Sequence, residues 1–130
     1  HYEEVYFLDE SKKVRLSAWF VPTTSTAPVI ILTHGYKGNK ACGELLMAAG
    51  MLHKHGYNTL ILDVRNSGHS ERKTGRSAMG QSEYLDVLGA KAWLCQHGFH
   101  SDRIGLSGAS MGATTLLIAF EKGLPGFFAW

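Results

Sequence analysis

Gly108-Ala109-Ser110-Met111-Gly112 stands between an apolar run, Arg103-Ile104-Gly105-Leu106, and a stretch of helical period from Ala113 to Glu121. A chain that turns from a strand straight into a helix holds the residue at the bend in strained backbone angles. It also brings the two elements so close that the positions two before and two after the bend must be small. Glycine fills both. A serine at the tip of such a bend presents its hydroxyl for attack on a substrate, so Ser110 is the first candidate catalytic residue.

Outward from the bend, the rest of the chain supplies the sheet that this reading needs. Val29-Ile30-Ile31-Leu32-Thr33 is an unbroken run rich in β-branched residues, as expected of a strand buried on both faces. Thr59-Leu60-Ile61-Leu62 is a second such run, Arg103 to Leu106 a shorter third, and Phe127-Phe128-Ala129-Trp130 the opening of a fourth. Between them the apolar period changes from 2 to 3.6. Leu45, Ala48, Ala49 and Leu52 form one helical stripe, after an N-cap placed at Asn39, and Tyr84, Val87, Leu88, Ala92 and Cys95 form another. Ala113, Leu116, Leu117 and Phe120 form a third, closed by Gly123 and Pro125. Ahead of all this, Val5 to Leu8 and Val14 to Val21 read as an antiparallel hairpin about the polar turn Asp9 to Lys13. The alternation predicts an α/β fold, a three-layer α/β/α sandwich about a mostly parallel, doubly wound sheet. Residues 1–130 are expected to be a single core domain that stops after its sixth strand.

In sheets of this kind, reactive groups gather at the carboxyl ends of the strands. Three polar segments occupy those ends: His34-Gly35-Tyr36, the stretch Asp63-x-Arg65-x-x-Gly68-x-Ser70, and the Ser110 bend. With these three motifs in this order, nearly the whole chain resembles the α/β-hydrolase family. The long first hairpin ending in Trp19-Phe20-Val21-Pro22, and the Glu83-x-x-Asp86-Val87 helix, are similar to its bacterial esterase and prolyl-oligopeptidase-like members.

The resemblance implies a serine hydrolase acting on a carboxylic ester or related acyl bond through an acyl-enzyme on Ser110. It further implies that the backbone amides of Met111 and Tyr36 form the oxyanion hole. Loss of one such donor typically costs about 3 to 4 kcal/mol of transition-state stabilisation. The chain departs from the family order of Ser, then Asp or Glu, then His, because all seven histidines precede Ser110 and the one acid after it is Glu121. The general base and acid are therefore expected to be missing from these 130 residues, and the isolated chain to be inactive. His69 is the best internal substitute for the base, although its stretch reads first as structural. His34 reads as a shaper of the oxyanion loop, and Asp63 with Arg65 as a loop-bracing ion pair. The alternative is a non-catalytic module that self-associates over an open sheet edge or binds a small molecule.

Composition excludes other classes. The net charge of +2 is spread along the chain, and the clusters Lys37 with Lys40, and Arg72, Lys73 and Arg76, read as solvated loop charge rather than a nucleic-acid footprint. The small-molecule ester or acyl substrate is the expected partner, with no nucleic acid and no cofactor. Cys42 and Cys95 form no CxxC pair and read as buried reduced thiols, which suits a cytoplasmic setting. The start at His1, without a methionine, leaves room for an upstream signal or anchor. Cys95-x-His97-x-x-His100 superficially resembles a metal site, but histidines at a helix C-terminus are favoured by the dipole alone.

Overall fold

The computed structural model describes residues 2–24, 26–34, 43–65, 68–71, 84–108 and 128–129. Strands β1 (Glu3–Leu8) and β2 (Arg15–Val21) form the expected hairpin. Its turn is organised by Asp9, whose Oδ1 accepts the amides of Lys13 at 2.8 Å and Val14 at 3.0 Å. Lys12 takes the left-handed conformation there, at φ 63°. β3 (Val29–Thr33), β4 (Asn58–Asp63), β5 (Ile104–Gly108) and β6 (Phe128–Ala129) complete a six-stranded sheet in the order β1-β2-β4-β3-β5-β6. The pairs of β3 with β4, β3 with β5 and β5 with β6 are parallel; β2 joins β4 antiparallel.

Every residue of β3 and β4 is buried, which is why the apolar runs show no alternation. Among the described residues, two helices cover opposite faces. α1 (Gly43–Lys54) sets Leu45 and Ala49 against Ile30, Leu32 and Ile61. α2 (Tyr84–Gln96) sets Val87, Ala90 and Leu94 against Leu16, Ala18, Ile31, Leu60, Leu62 and Leu106 on the other side. Each large aliphatic side chain buried in these layers contributes about 1.5–3 kcal/mol. A single 3₁₀ turn, Ser101–Arg103, leads into β5.

The α1 stripe falls where the periodicity puts it, whereas that of α2 is rotated. Ala92 and Cys95 point to solvent, and the inward face is Asp86, Val87, Gly89, Ala90 and Leu94. Gly89 lies against the end of β1, so close that a Cβ would stand 2.5 Å from the Leu8 carbonyl oxygen. The helix therefore meets the hairpin through a residue with no side chain. The Asn39 cap and the helix expected after the Ser110 bend lie outside the described residues. Among the described residues, no helix is long and apolar enough to cross a membrane.

Candidate active site

The parallel register brings the carboxyl ends of three strands together. Thr33, the last residue of β3, is paired with Gly108 of β5 on one side and Leu62 of β4 on the other. The chain leaving β3 and the chain leaving β5 thus start from adjacent points on the rim. The first runs into Gly35-Tyr36 and the second into Ala109-Ser110. The Thr33 hydroxyl, fully buried, donates to the Ser107 carbonyl at 3.2 Å and ties these two exits.

His34 ties β3 to its other neighbour. The Val64 amide donates to His34 Nε2 at 3.3 Å, and the ring is 1% exposed. With Nε2 accepting, the neutral ring carries its proton on Nδ1. His34 thus joins the exits of β3 and β4, while the loop it was expected to shape lies outside the described residues.

The stretch after β4 is a second device for shaping the rim. Asp63 is buried, and its Oδ2 accepts the His69 amide at 2.9 Å. A Cβ on Gly68 would overlap the Asp63 carboxylate, and Gly68 has φ +51°, so the position is closed to side chains on both counts. Ser70 donates its hydroxyl to the Asp63 carbonyl at 2.6 Å and accepts the Ser17 amide at 2.8 Å, stitching the turn to β2.

Arg65 does not pair with Asp63. Its guanidinium reaches Asp86 of α2, with Nη2 at 2.7 Å and Nε at 3.0 Å from Oδ1, and Asp9 of the hairpin turn at 2.9 Å. The Arg65 amide also donates to Asp86 Oδ2 at 2.7 Å. Both carboxylate side chains are wholly inaccessible. Burial pushes Asp86 up to about 6, against the pull of the Arg65 guanidinium and amide. Burial also raises Asp9, but donors from Ser11, Lys13, Val14 and Arg65 outweigh it and hold that carboxyl below its ordinary value. The expected Asp63–Arg65 pair is therefore replaced by a brace whose acids come from elements far away in sequence, which motif reading could not supply.

The proposed nucleophile Ser110 and the oxyanion donors Tyr36 and Met111 lie outside the described residues. His69 Nδ1 donates to Glu4 Oε2 at 2.8 Å, with a mostly exposed ring. Glu4 is on β1, four strand spacings from β5, or about 19 Å at about 4.8 Å each. The His69 side chain is thus tied to β1. Glu4 also accepts from Tyr6, Ser17 and Trp19, a hub that sequence reasoning missed because its donors are spread over β1, β2 and the turn after β4. Cys95 is exposed rather than buried, since it sits on the outer face of α2. His97 donates Nδ1 to the Trp93 carbonyl at 2.8 Å and stacks on the Trp93 ring at 4.0 Å, the behaviour of a helix-terminal histidine. Among the described residues, no three His, Cys, Asp or Glu side chains gather as a metal ion requires.

Residues 13–129 match the X-Pro dipeptidyl-peptidase family, S15. The chain belongs to that family. The S15 match takes in the β3, β4 and β5 exits together with the Ser110 stretch. A thiohydrolase of Aspergillus aculeatus, aneE, is 29% identical over 126 residues, covering 93% of this chain and 38% of the relative. The esterase Pf2001 of Pyrococcus furiosus superposes with a TM-score of 0.81 at 28% identity, over 97% of this chain and 50% of its own. The α/β hydrolase GrgF of Penicillium sp. sh18 superposes at 0.88 and 22% identity, over 99% of this chain and 45% of its own. The S15 chain has the α/β-hydrolase fold and spans half or less of the length of these relatives.

Proposed function

We propose that this chain carries the nucleophile and the oxyanion donors of a serine hydrolase that cleaves carboxylic esters or related acyl bonds. The observation that carries the reading is the pairing of Thr33 with Gly108, which starts the His34-Gly35-Tyr36 and Gly108-x-Ser110-x-Gly112 segments side by side on one rim. Ser110 Oγ attacks the acyl carbonyl. The Tyr36 and Met111 amides receive the developing oxyanion, and the alcohol leaves to give an acyl-enzyme that water then hydrolyses. The relatives named as an esterase and a thiohydrolase support acyl chemistry over a non-catalytic role.

In this reading the general base and its acid come from outside these 130 residues; within them, His34 accepts the Val64 amide and His69 bonds Glu4. Ester turnover by the full-length protein is the test. Ser110→Ala abolishes it under this reading; turnover that survives the substitution overturns it.

A further inference from the structure

Strand β1 is an edge of the sheet, on the far side from β6, and among the described residues only β2 pairs with it. The phase of that pairing decides which backbone groups are left over. Asp9 N–H donates to the Val14 carbonyl at 3.0 Å, and bonded pairs in an antiparallel ladder recur at every second residue. Phe7–Leu16 and Val5–Ala18 are therefore bonded, whereas Tyr6–Ser17 and Leu8–Arg15 are not. The β2 side agrees: the Ser17 amide donates to Ser70 at 2.8 Å and the Arg15 amide to Glu71 at 2.9 Å, both away from β1. Helix α2 closes one end of the edge, where the Leu85 carbonyl accepts the Glu10 amide and Gly89 lies against the Leu8 carbonyl. At Tyr6 the outward N–H and C=O have no partner among the described residues.

A groove of about 600 Å³ lies along this edge between β1 and α2, with Phe7 and Trp93 in its wall. We propose that edge and groove together are a strand-addition site for a second copy of this chain. Geometry, side chains and charge choose that occupant. A two-fold axis normal to the sheet at Tyr6 sets two β1 strands antiparallel, and the outward groups of Tyr6 then answer those of the partner's Tyr6. Residues opposite each other share a face, so the half-buried Val5 meets the partner's Phe7 on the α2 side, over the apolar wall of the groove. On the other face Tyr6 and Leu8, 44% and 48% exposed in the single chain, gain cover. Charge matches as well. The strand begins at Glu3 and Glu4 and ends at a turn that exposes Lys12 and Lys13 beside Glu10, so the acidic end of each copy lies towards the partner's lysines.

The test is sedimentation of the full-length protein over a range of concentrations, with hydrogen exchange read at the Tyr6 amide. A reversible dimer is expected, with exchange at Tyr6 that slows as the concentration rises. Tyr6→Pro removes one outward donor from each copy and leaves the bonds to β2 in place, and should weaken the dimer at least about tenfold. Glu3→Lys and Lys12→Glu should each weaken it about threefold, and the two together should recover most of the loss. From Glu3 to Leu8 the strand already spans about 17 Å, at about 3.4 Å for each residue, so coupling between positions 3 and 12 within one copy is screened in ordinary salt.

A monomer at every concentration overturns the proposal. Slow exchange at Tyr6 would then mean that another segment of the same chain covers β1, and fast exchange that the edge stands open. A dimer untouched by Tyr6→Pro overturns it too, since the contact then lies elsewhere. Additive losses in the Glu3→Lys, Lys12→Glu double variant overturn the antiparallel arrangement whatever Tyr6→Pro does, and should Tyr6→Pro fail to fold, that double variant decides.

Discussion

The hydroxyl of Thr33 donates to the carbonyl of Ser107 across 3.2 Å, inside the sheet and one residue before the end of β5. It is a side-chain bond laid beside a backbone ladder that already joins the two strands. Because it sits at the rim, its effect falls on the two segments that leave there. Thr33→Val keeps the shape and β-branching while removing the donor. A buried hydrogen bond of this kind is worth about 1 kcal/mol, so a denaturant titration should show a loss of about 0.5–1.5 kcal/mol with an unchanged m-value. An unchanged midpoint would mean that the strand exits are held by the ladder alone.

Thr59 is the opposite case. Its hydroxyl is buried in β4 and finds no hydrogen-bond partner among the described residues, although the residue pairs with Ile30 and Val21 through its backbone. An unmet buried hydroxyl costs about 1–3 kcal/mol, and valine fits the same space without it. Thr59→Val is expected to raise stability by about 0.5–2 kcal/mol, read as a higher denaturation midpoint. A lower midpoint would show that the hydroxyl is satisfied in solution.

Glu4 sets an acid limb of stability. The Tyr6 hydroxyl, followed by the His69, Ser17 and Trp19 donors, holds this carboxylate down at about 2 from an ordinary 4.5, against the upward push of burial. A folded-state value below the unfolded one means that the unfolded chain binds the proton more tightly. The stabilisation is therefore complete above about pH 4.5 and is lost as the pH falls towards 2. Glu4→Gln should flatten the stability profile between those limits, and the Glu4 carboxyl carbon should titrate near 2 by NMR. An ordinary midpoint near 4.5 would remove Glu4 from its place at the centre of the hub.

How far the sequence could be read follows from what kind of signal each feature leaves. β3 and β4 announce themselves because burial on both faces demands unbroken apolar runs, and α1 because its inward stripe is purely apolar. The α2 stripe escapes periodicity for a physical reason. Asp86 counts as a surface residue in any hydropathy pattern, yet Arg65 neutralises it in the interior, and Gly89 contributes contact without a side chain. Cys95 has the opposite fault, reading as apolar while facing solvent. At the rim, the motifs marked the right strand ends, since short fixed spacings survive in the sequence. The Arg65 brace joins residues 21 and 56 positions apart and the Glu4 hub reaches as far as 65, and no local spacing records them.

The central claim is that Ser110, two residues past the end of β5, is an activated nucleophile. Reaction of the full-length protein with a fluorophosphonate, followed by peptide mass spectrometry, tests it most directly. One phosphonyl adduct is predicted, on Ser110, and none in Ser110→Ala. An unlabelled Ser110 in a folded protein that still turns over ester, or an adduct on another serine, would contradict it.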